Sequence, residues 1–415
     1  MNENLAPSVP RQRKTRRRWP RALAISGAAS LGAVVALWIA IHRYDWLGPL
    51  VANTLRALVG PDTVAKLEDL VYAIEDRANR ILKRDEAPKA YWKVPEARVS
   101  APPPSLSSPP PAGSAPTEPE LPPFRPRDPG PAHKKWSAEG DGIWVPIVDP
   151  RRPDEQPYMF KTLLHPDVTR GWAEVFVVAV DLRRVDVHVM AGRHEPKPEN
   201  EKSVAGYERP AKIPEHHQEE LLAAFNGGFM TEHGGWGMKV DGVTLVSPKP
   251  NGCTLALFED GSKRIATWKH LADMEPRMQW YRQAPECMYE NGKIHPGLTA
   301  GSQRKWGATL DGDTVIRRSA VGLGEDRQIL YVAITNHTTA RVLADGMRHA
   351  GAVDVAQMDV NWSYPKFVLF EPKEPGGPRK AVALASGFEF SEDEYIRSRA
   401  RRDFFYLVRK SPNAR

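Results

Sequence analysis

The residues of this chain that could do chemistry stand at the ends of short apolar runs. Leu221 to Trp236 reads LLAAFNGGFMTEHGGW, in which the run Leu221–Phe225 opens directly into Asn226, Gly227 and Gly228. A buried strand that ends in glycines lets a ligand approach bare backbone N–H groups, here beside the Asn226 carboxamide. The plainer alternative is a tight link between two strands with no ligand. Asn336-His337-Thr338 ends a second apolar run, and Asp359 with Asn361 ends a third, Val355–Met358. These two places flank a helix that starts near Thr339, whose free N–H groups suit an anion. Arg318 lies ahead of the strand that ends in Asn336 and could clamp a phosphate, with Arg304 or Lys305 as alternates.

For acid–base work the candidates are Asp359 as the carboxylate, Glu232 as a second acid and His337 as proton donor. Each has a structural counterpart: a turn cap for Asp359, a helix-capping neighbour for His337, an exposed strand position for Arg318. No spacing of His, Cys, Asp and Glu specifies a metal, so no cofactor is predicted and a divalent metal stays unassigned. His216 and His217 with Glu219 read as a solvated loop. Cys253 and Cys287 are the two cysteines, and a single disulfide or two buried thiols would look the same in sequence.

The elements that must position these groups lie between Trp136 and Val408. Val175–Val180 and Val185–Met190 read as two strands joined by a charged turn. Asp241-Gly242, Asp260-Gly261, Asn291-Gly292 and Asp311-Gly312 mark hairpin turns. Gln328–Ile334, preceded by Ser319–Gly324, and Val355–Met358, Ala381–Phe390 and Phe404–Val408 read as further strands. Thr339–Ala350 is the one well-defined helix, capped by Thr338 or Thr339. Many hairpins and few helices predict an α+β domain with a mixed, mostly antiparallel sheet.

The rest of the 415-residue chain predicts a different organisation. Its 39 prolines and mean hydropathy of −0.49 show that part of it is not packed. The formal charge of +7 is matched by Arg11, Arg13, Lys14, Arg16, Arg17, Arg18 and Arg21, which precede the uncharged run Ala22–Ile41. At 1.5 Å per residue such a run spans about 30 Å, a bilayer core. Residues 1–21 therefore read as a basic cytoplasmic tail and 22–41 as an uncleaved transmembrane anchor, longer than a signal-peptide apolar region. The expected topology is single-pass with the C-terminal domain periplasmic or extracellular. Membrane attachment through 22–41 displaces nucleic-acid binding as the use of the basic arm.

Residues 49–86 read as amphipathic stalk helices. Val64, Leu67, Val71, Ile74, Ala78 and Ile81 form a heptad stripe that would suit a weak homodimer over 64–81 or a helix laid on the domain. Residues 87–135 are a Pro-rich spacer, and 136–415 form the folded domain.

In order along that domain come Asn226-Gly227-Gly228-Phe229, Asn291-Gly292-Lys293, Arg318-Ser319-Ala320-Val321-Gly322, the Thr339–Leu343 helix start and the strand-borne Asp359. Together with Gly140–Pro146 and the strand pair after Trp172, this series resembles the phosphodiester glycosidase family. The resemblance covers 136–408 and none of the segments before it. It implies hydrolysis of a sugar-1-phosphodiester or related glycan linkage, with Asp359, His337 and Glu232 as catalytic groups. It further implies that Asn226, Gly227, Gly228 and Arg318 hold the phosphate or sugar. The family's glycine-rich loop after the aspartate is replaced by Val360-Asn361-Trp362. Asn361, Trp362 and Tyr364 are then expected to face the sugar, the aromatics by stacking. The combined expectation is a membrane-anchored, envelope-facing hydrolase of glycan or sugar-phosphodiester. The alternative is a catalytically inactive, membrane-tethered domain that binds glycan or cell-wall polymer.

Overall fold

The computed structural model describes residues 61–95, 121–299, 304–307, 314–374 and 376–410, with Ala36, Val51, Thr54 and Leu58 before them. The chain divides into two compact units, Met1–Val64 and Ala65–Arg415, and the sheets all belong to the second. The fold is mixed α+β with antiparallel sheets and few helices.

The largest sheet runs in the order β1 (Val145–Ile147), β2 (Met159–Leu164), β3 (Val175–Asp181), β14 (Ile329–Thr335), β13 (Arg318–Leu323), β15 (Asp354–Val360), β11 (Tyr289–Glu290), β12 (Lys293–Ile294). A second has the order β17 (Arg379–Ala383), β16 (Phe367–Pro372), β5 (Leu221–Asn226), β18 (Phe404–Arg409), β4 (Val185–Met190). The third is β7 (Val243–Val246), β6 (Met238–Val240), β10 (Met278–Ala284), β8 (Cys253–Phe258), β9 (Lys263–Thr267).

Strand β3 shows why the layers stack as they do. All seven of its residues are buried, which requires cover on both faces. Phe176, Val178 and Val180 join the core shared with the second and third sheets, alongside Phe225, Phe405 and Trp280. Val175, Val177 and Ala179 face the other way, toward a cluster containing Leu343, Ala344 and Met347. Those three belong to the helix Ala340–Ala350, whose start is set by the Thr339 hydroxyl accepting from Val342 N at 3.2 Å. Its end falls at Gly351, with φ of 120°.

The hairpin turns have their physical basis in positive φ. Asp241-Gly242 (51° and 77°) joins β6 to β7, and Asn291-Gly292 (51° and 72°) joins β11 to β12. The Asp311-Gly312 turn lies outside the described residues. A one-turn helix, Glu215–Gln218, brings His217 to His188 of β4 (ring centroids 4.6 Å) and to the Tyr406 hydroxyl of β18 at 3.0 Å. His216 and His217 are thus part of a ring stack rather than a free loop.

The longest described helix is Pro61–Leu82, called α1 here; the helix at Ala340–Ala350 is α2. Proline at its first position and the lack of glycine favour this helix. The membrane assignments need correction. Apart from Ala36, the expected anchor, 22–41, lies outside the described residues, and among those described no helix is long and apolar enough to cross a membrane. Helix α1 cannot substitute, because Glu68, Asp69, Glu75, Asp76, Arg77 and Arg80 would enter hydrocarbon. The transmembrane helix, the signal-anchor, membrane attachment and the single-pass topology with a periplasmic or extracellular domain are therefore unsupported. The homodimer over 64–81 is corrected as well. The helix uses Tyr72 and Asp76 to contact its own domain, and a dimer through it has no support.

Cys253 and Cys287 form a disulfide across 34 positions of sequence, buried in the main core. Closing a loop of that length restricts the unfolded chain, an effect of about 2–4 kcal/mol. The Cys253→Ala/Cys287→Ala variant should therefore lose about that much stability in denaturant titrations. Reductant should shift the wild type by a similar amount and leave the variant unmoved.

Candidate functional site

Two strand ends flagged by sequence converge with the start of β13 where the first and second sheets meet, while Asn336 bonds to Glu174 instead. Asn226 closes β5, Asp359 is the penultimate residue of β15, and Ser319 follows Arg318 at the start of β13. The Asn226 Nδ2 donates to Ser319 Oγ (2.7 Å), which donates to the Asp359 carbonyl (3.1 Å). The Asp359 N–H donates to Gly227 O at 3.3 Å, completing a seam between the sheets. Asn226 Oδ1 accepts from Lys366 N at 3.1 Å, so the carboxamide is committed at both ends.

The Gly-Gly turn is already occupied. Gly228 N donates to Asp403 Oδ2 at 3.0 Å and Gly227 N to the Asp403 carbonyl at 2.9 Å. A Cβ at Gly227 would stand 2.2 Å from that carboxylate, and one at Gly228 would meet the Arg282 guanidinium at 2.8 Å. Glycine is required here for close approach. Arg282, fully buried on β10, donates from Nε to Asp403 Oδ2 (2.8 Å) and from Nη2 to Phe229 O (2.6 Å). Of the amides expected to hold substrate, that of Gly228 holds the Asp403 carboxylate and that of Gly227 the Asp403 backbone carbonyl.

Arg318 is likewise internal. It is 0% exposed, and its guanidinium donates to Thr338 O (3.0 Å), Thr314 O (2.9 Å), Gln357 Oε1 (3.1 Å) and Trp306 O. It solvates loop carbonyls and does not present itself as a phosphate clamp. The cation that does reach the carboxylate is Arg402, whose Nη2 stands 2.7 Å from Asp359 Oδ2. Its Nε and Nη2 make no hydrogen bond among the described residues, so the pair is close but poorly aligned. Its guanidinium lies 4.0 Å above the Tyr364 ring, whose hydroxyl donates to the Asp403 carbonyl.

Asp359 is 1% exposed. Burial pushes its carboxyl up to about 6, against the pull of Arg402. Asn361 steers it, donating from Nδ2 to Asp359 Oδ2 at 2.6 Å while its Oδ1 accepts from Ser363 N and Tyr364 N. His337 has φ of 35° and packs edge-on to Trp362 at 5.5 Å. Burial, with Lys83 and Arg317 adding to it, lowers His337 to about 4. It is neutral at pH 7 and unsuited to donate a proton there. Trp362 is engaged by Arg317 (5.1 Å) and Tyr72 (6.4 Å) as well, so neither aromatic is an open sugar platform. Glu232 stands on the surface in Thr231–His233, 3.7 Å from His233.

The sequence reading missed Arg402, Asp403 and Arg282. The Arg-Asp pair before Phe404 was its one local signal, because a charged dipeptide at a strand entrance has to point somewhere. A separate concavity, lined by Asp149, Arg151, Glu155, Tyr158 and Arg409, lies toward the opposite ends of β5 and β18. There Arg409 pairs with Asp149 (2.8 Å) and Glu155 (3.0 Å), and the charges neutralise each other.

No family model and no curated protein matches the chain. Among solved structures, it is similar to a hypothetical protein from Synechocystis, with 8% identity and a TM-score of 0.37 over 62% of this chain and 65% of the other. It is also similar to a Burkholderia pseudomallei K96243 protein, with 12% identity and a TM-score of 0.32 over 57% and 74%. The chain thus spans just under two thirds of the first of these, and neither likeness bears on chemistry. Among the described residues no group of three or more His, Cys, Asp and Glu could hold a metal ion. The membrane-anchored, envelope-facing hydrolase and its membrane-tethered glycan-binding alternative are corrected by these findings. A glycan or sugar-phosphodiester partner has no support from them.

Two stability outcomes follow. Asp359 holds its proton more tightly when folded than the ordinary value of 3.8, so its ionisation costs stability as pH rises from about 4 through about 6. Asp359→Asn should gain on the wild type across that window, by up to about 3 kcal/mol, and stay level above it. Denaturant titrations at pH 4, 5.5, 7 and 8 measure this, and a gap independent of pH contradicts it. Arg318→Ala should cost roughly 3 kcal/mol or more at every pH, because several buried carbonyls lose their donor. The same titrations report it.

Proposed function

We propose that the domain is a hydrolase of the phosphodiester glycosidase type, with Asp359 as its proton-transferring group and Arg402 as its phosphate-facing cation. The observation that carries this reading is a buried carboxyl at about 6 ion-paired at 2.7 Å with the Arg402 guanidinium, whose Nε has no hydrogen-bond partner among the described residues. A carboxyl titrating near neutrality can both take and return a proton, which is what general acid–base catalysis needs. Asp359 lies in β15 and Arg402 in the bend just before β18, so strands of two sheets position the pair.

In this reading water attacks the anomeric carbon and the bond from that carbon to the phosphate oxygen breaks. Asp359 takes the proton that the water gives up, and the phosphate leaves as a monoester. Arg402 balances the negative charge that grows on the leaving oxygen. Asn361 aims the carboxyl. Arg318 and the Gly227 and Gly228 amides hold the frame and take no part in the step.

The full chain should hydrolyse members of a panel of aryl sugar-1-phosphodiesters. Asp359→Asn should lower kcat by about 10²–10⁴-fold with little change in KM. Arg402→Gln should raise KM and lower kcat together, since a phosphate contact acts before and during the reaction. Turnover that survives Asp359→Asn, or no turnover by the wild type across the panel, overturns the proposal.

A further inference from the structure

Helix α1 is docked with the wrong face inward. Tyr72, Glu75, Asp76 and Asn79 are the half-buried positions, while Leu67, Leu70, Val71, Ile74, Ile81 and Leu82 are 41% to 80% exposed. A surface helix ordinarily buries its apolar stripe. Among the described side chains this stripe faces solvent, so the helix docks through its polar and aromatic face.

The first contact is an ion pair. Arg170 donates from Nε to Asp76 Oδ1 (2.7 Å) and from Nη2 to Asp76 Oδ2 (2.9 Å), and Asp167 holds Arg170 from behind at 3.0 Å. The second is Tyr72, packed on a small cluster of Phe229, Ile316 and Val360 and 6.4 Å from Trp362. Those four residues mark the site from every side. Phe229 follows the Gly-Gly turn, Ile316 lies two residues before Arg318, Val360 adjoins Asp359, and Trp362 packs edge-on to His337. The helix lies across these residues.

Beyond the helix the chain is pinned more firmly. The Tyr91 hydroxyl donates to Glu174 Oε2 at 2.8 Å, and the Tyr91 and Trp92 rings lie 4.8 and 6.1 Å from Phe176 in the main core. Lys161 caps the Trp92 ring at 4.6 Å. Residues 83–90 connect the lightly held helix to this firm anchor.

We propose that α1 is a hinged cover of the site, closed by the Asp76–Arg170 ion pair and Tyr72 and turning about residues 83–90. The inference rests on reading the surroundings of Asp359 and Arg402 as the functional site. Closing the cover buries Trp362 and the loop beside His337; opening it exposes both while Tyr91 and Trp92 stay in place.

Hydrogen–deuterium exchange by mass spectrometry on the full chain tests this without any substrate. The wild type would be compared with Asp76→Asn, which changes no volume, and with Tyr72→Ala/Asp76→Asn. In the double variant the amides of 63–82 should exchange at least tenfold faster. Those of 336–338 and 360–364 should speed up with them. Strands β3 and β14 and the stretch around Tyr91 and Trp92 should keep their wild-type protection. A helix that keeps its protection in the double variant overturns the cover. So does a helix released with no change at 336–338 and 360–364. Loss of protection throughout β3 and β14 would show that the helix is part of the core, which also overturns it. If the proposed hydrolysis holds as well, the double variant should raise kcat/KM several-fold; absence of any turnover would count against the activity alone, since exchange decides the cover.

Discussion

The buried pair of Arg282 and Asp403 is the constraint on which the site is built. Arg282 comes from the third sheet, Asp403 from the entrance to the last strand of the second, and the pair is 2.8 Å apart with both side chains out of solvent. Removing one partner of such a pair leaves an uncompensated charge in a low-dielectric interior, typically a loss of about 3–5 kcal/mol. The pair survives because its remaining donors and acceptors are met: Gly228 N–H on the carboxylate, Phe229 and Trp236 carbonyls on the guanidinium. The Gly-Gly turn is shaped around this knot. The seam from Asn226 through Ser319 to Asp359 then carries its geometry across to the first sheet.

What was legible in the sequence was what local physics dictates. Val185–Met190 alternates with period 2, and the strand occupies those residues. Asp241-Gly242 and Asn291-Gly292 are turns because those pairs tolerate positive φ at low cost. Thr339 was one of two candidate caps, and its hydroxyl accepts the bond. Strand ends at Asn226 and Asp359 were legible as places where polar groups gather. Their partners were not, since Arg402 and Asp403 arrive from the far end of the chain and no short-range pattern announces them. Strand β10 escaped notice because Arg282 and Gln283 sit among its apolar residues, both buried through distant partners.

Arg318 shows the same limit. An arginine on a strand reads as exposed or as a ligand clamp, because sequence gives no view of the loop carbonyls that can solvate it. Helix α1 shows the complementary one. Its stripe was evident from spacing, and a helix laid on the domain stood among the readings, yet periodicity names an apolar face without saying what it meets. Asp76, in the polar positions between, supplies the contact to Arg170 instead.

The Gly-Gly turn has one more consequence. The Gly228 amide and the Arg282 guanidinium converge on the Asp403 carboxylate as they would on a bound anion, with the Gly227 amide on its backbone carbonyl, so the turn is a receptor whose guest is covalently attached to the host. A tethered group acts at an effective concentration set by the chain that carries it, which for a guest folded into place far exceeds that of any free metabolite. Free phosphate at millimolar levels cannot compete for these donors. The glycines that first drew attention as an anion cradle are for that reason saturated from within.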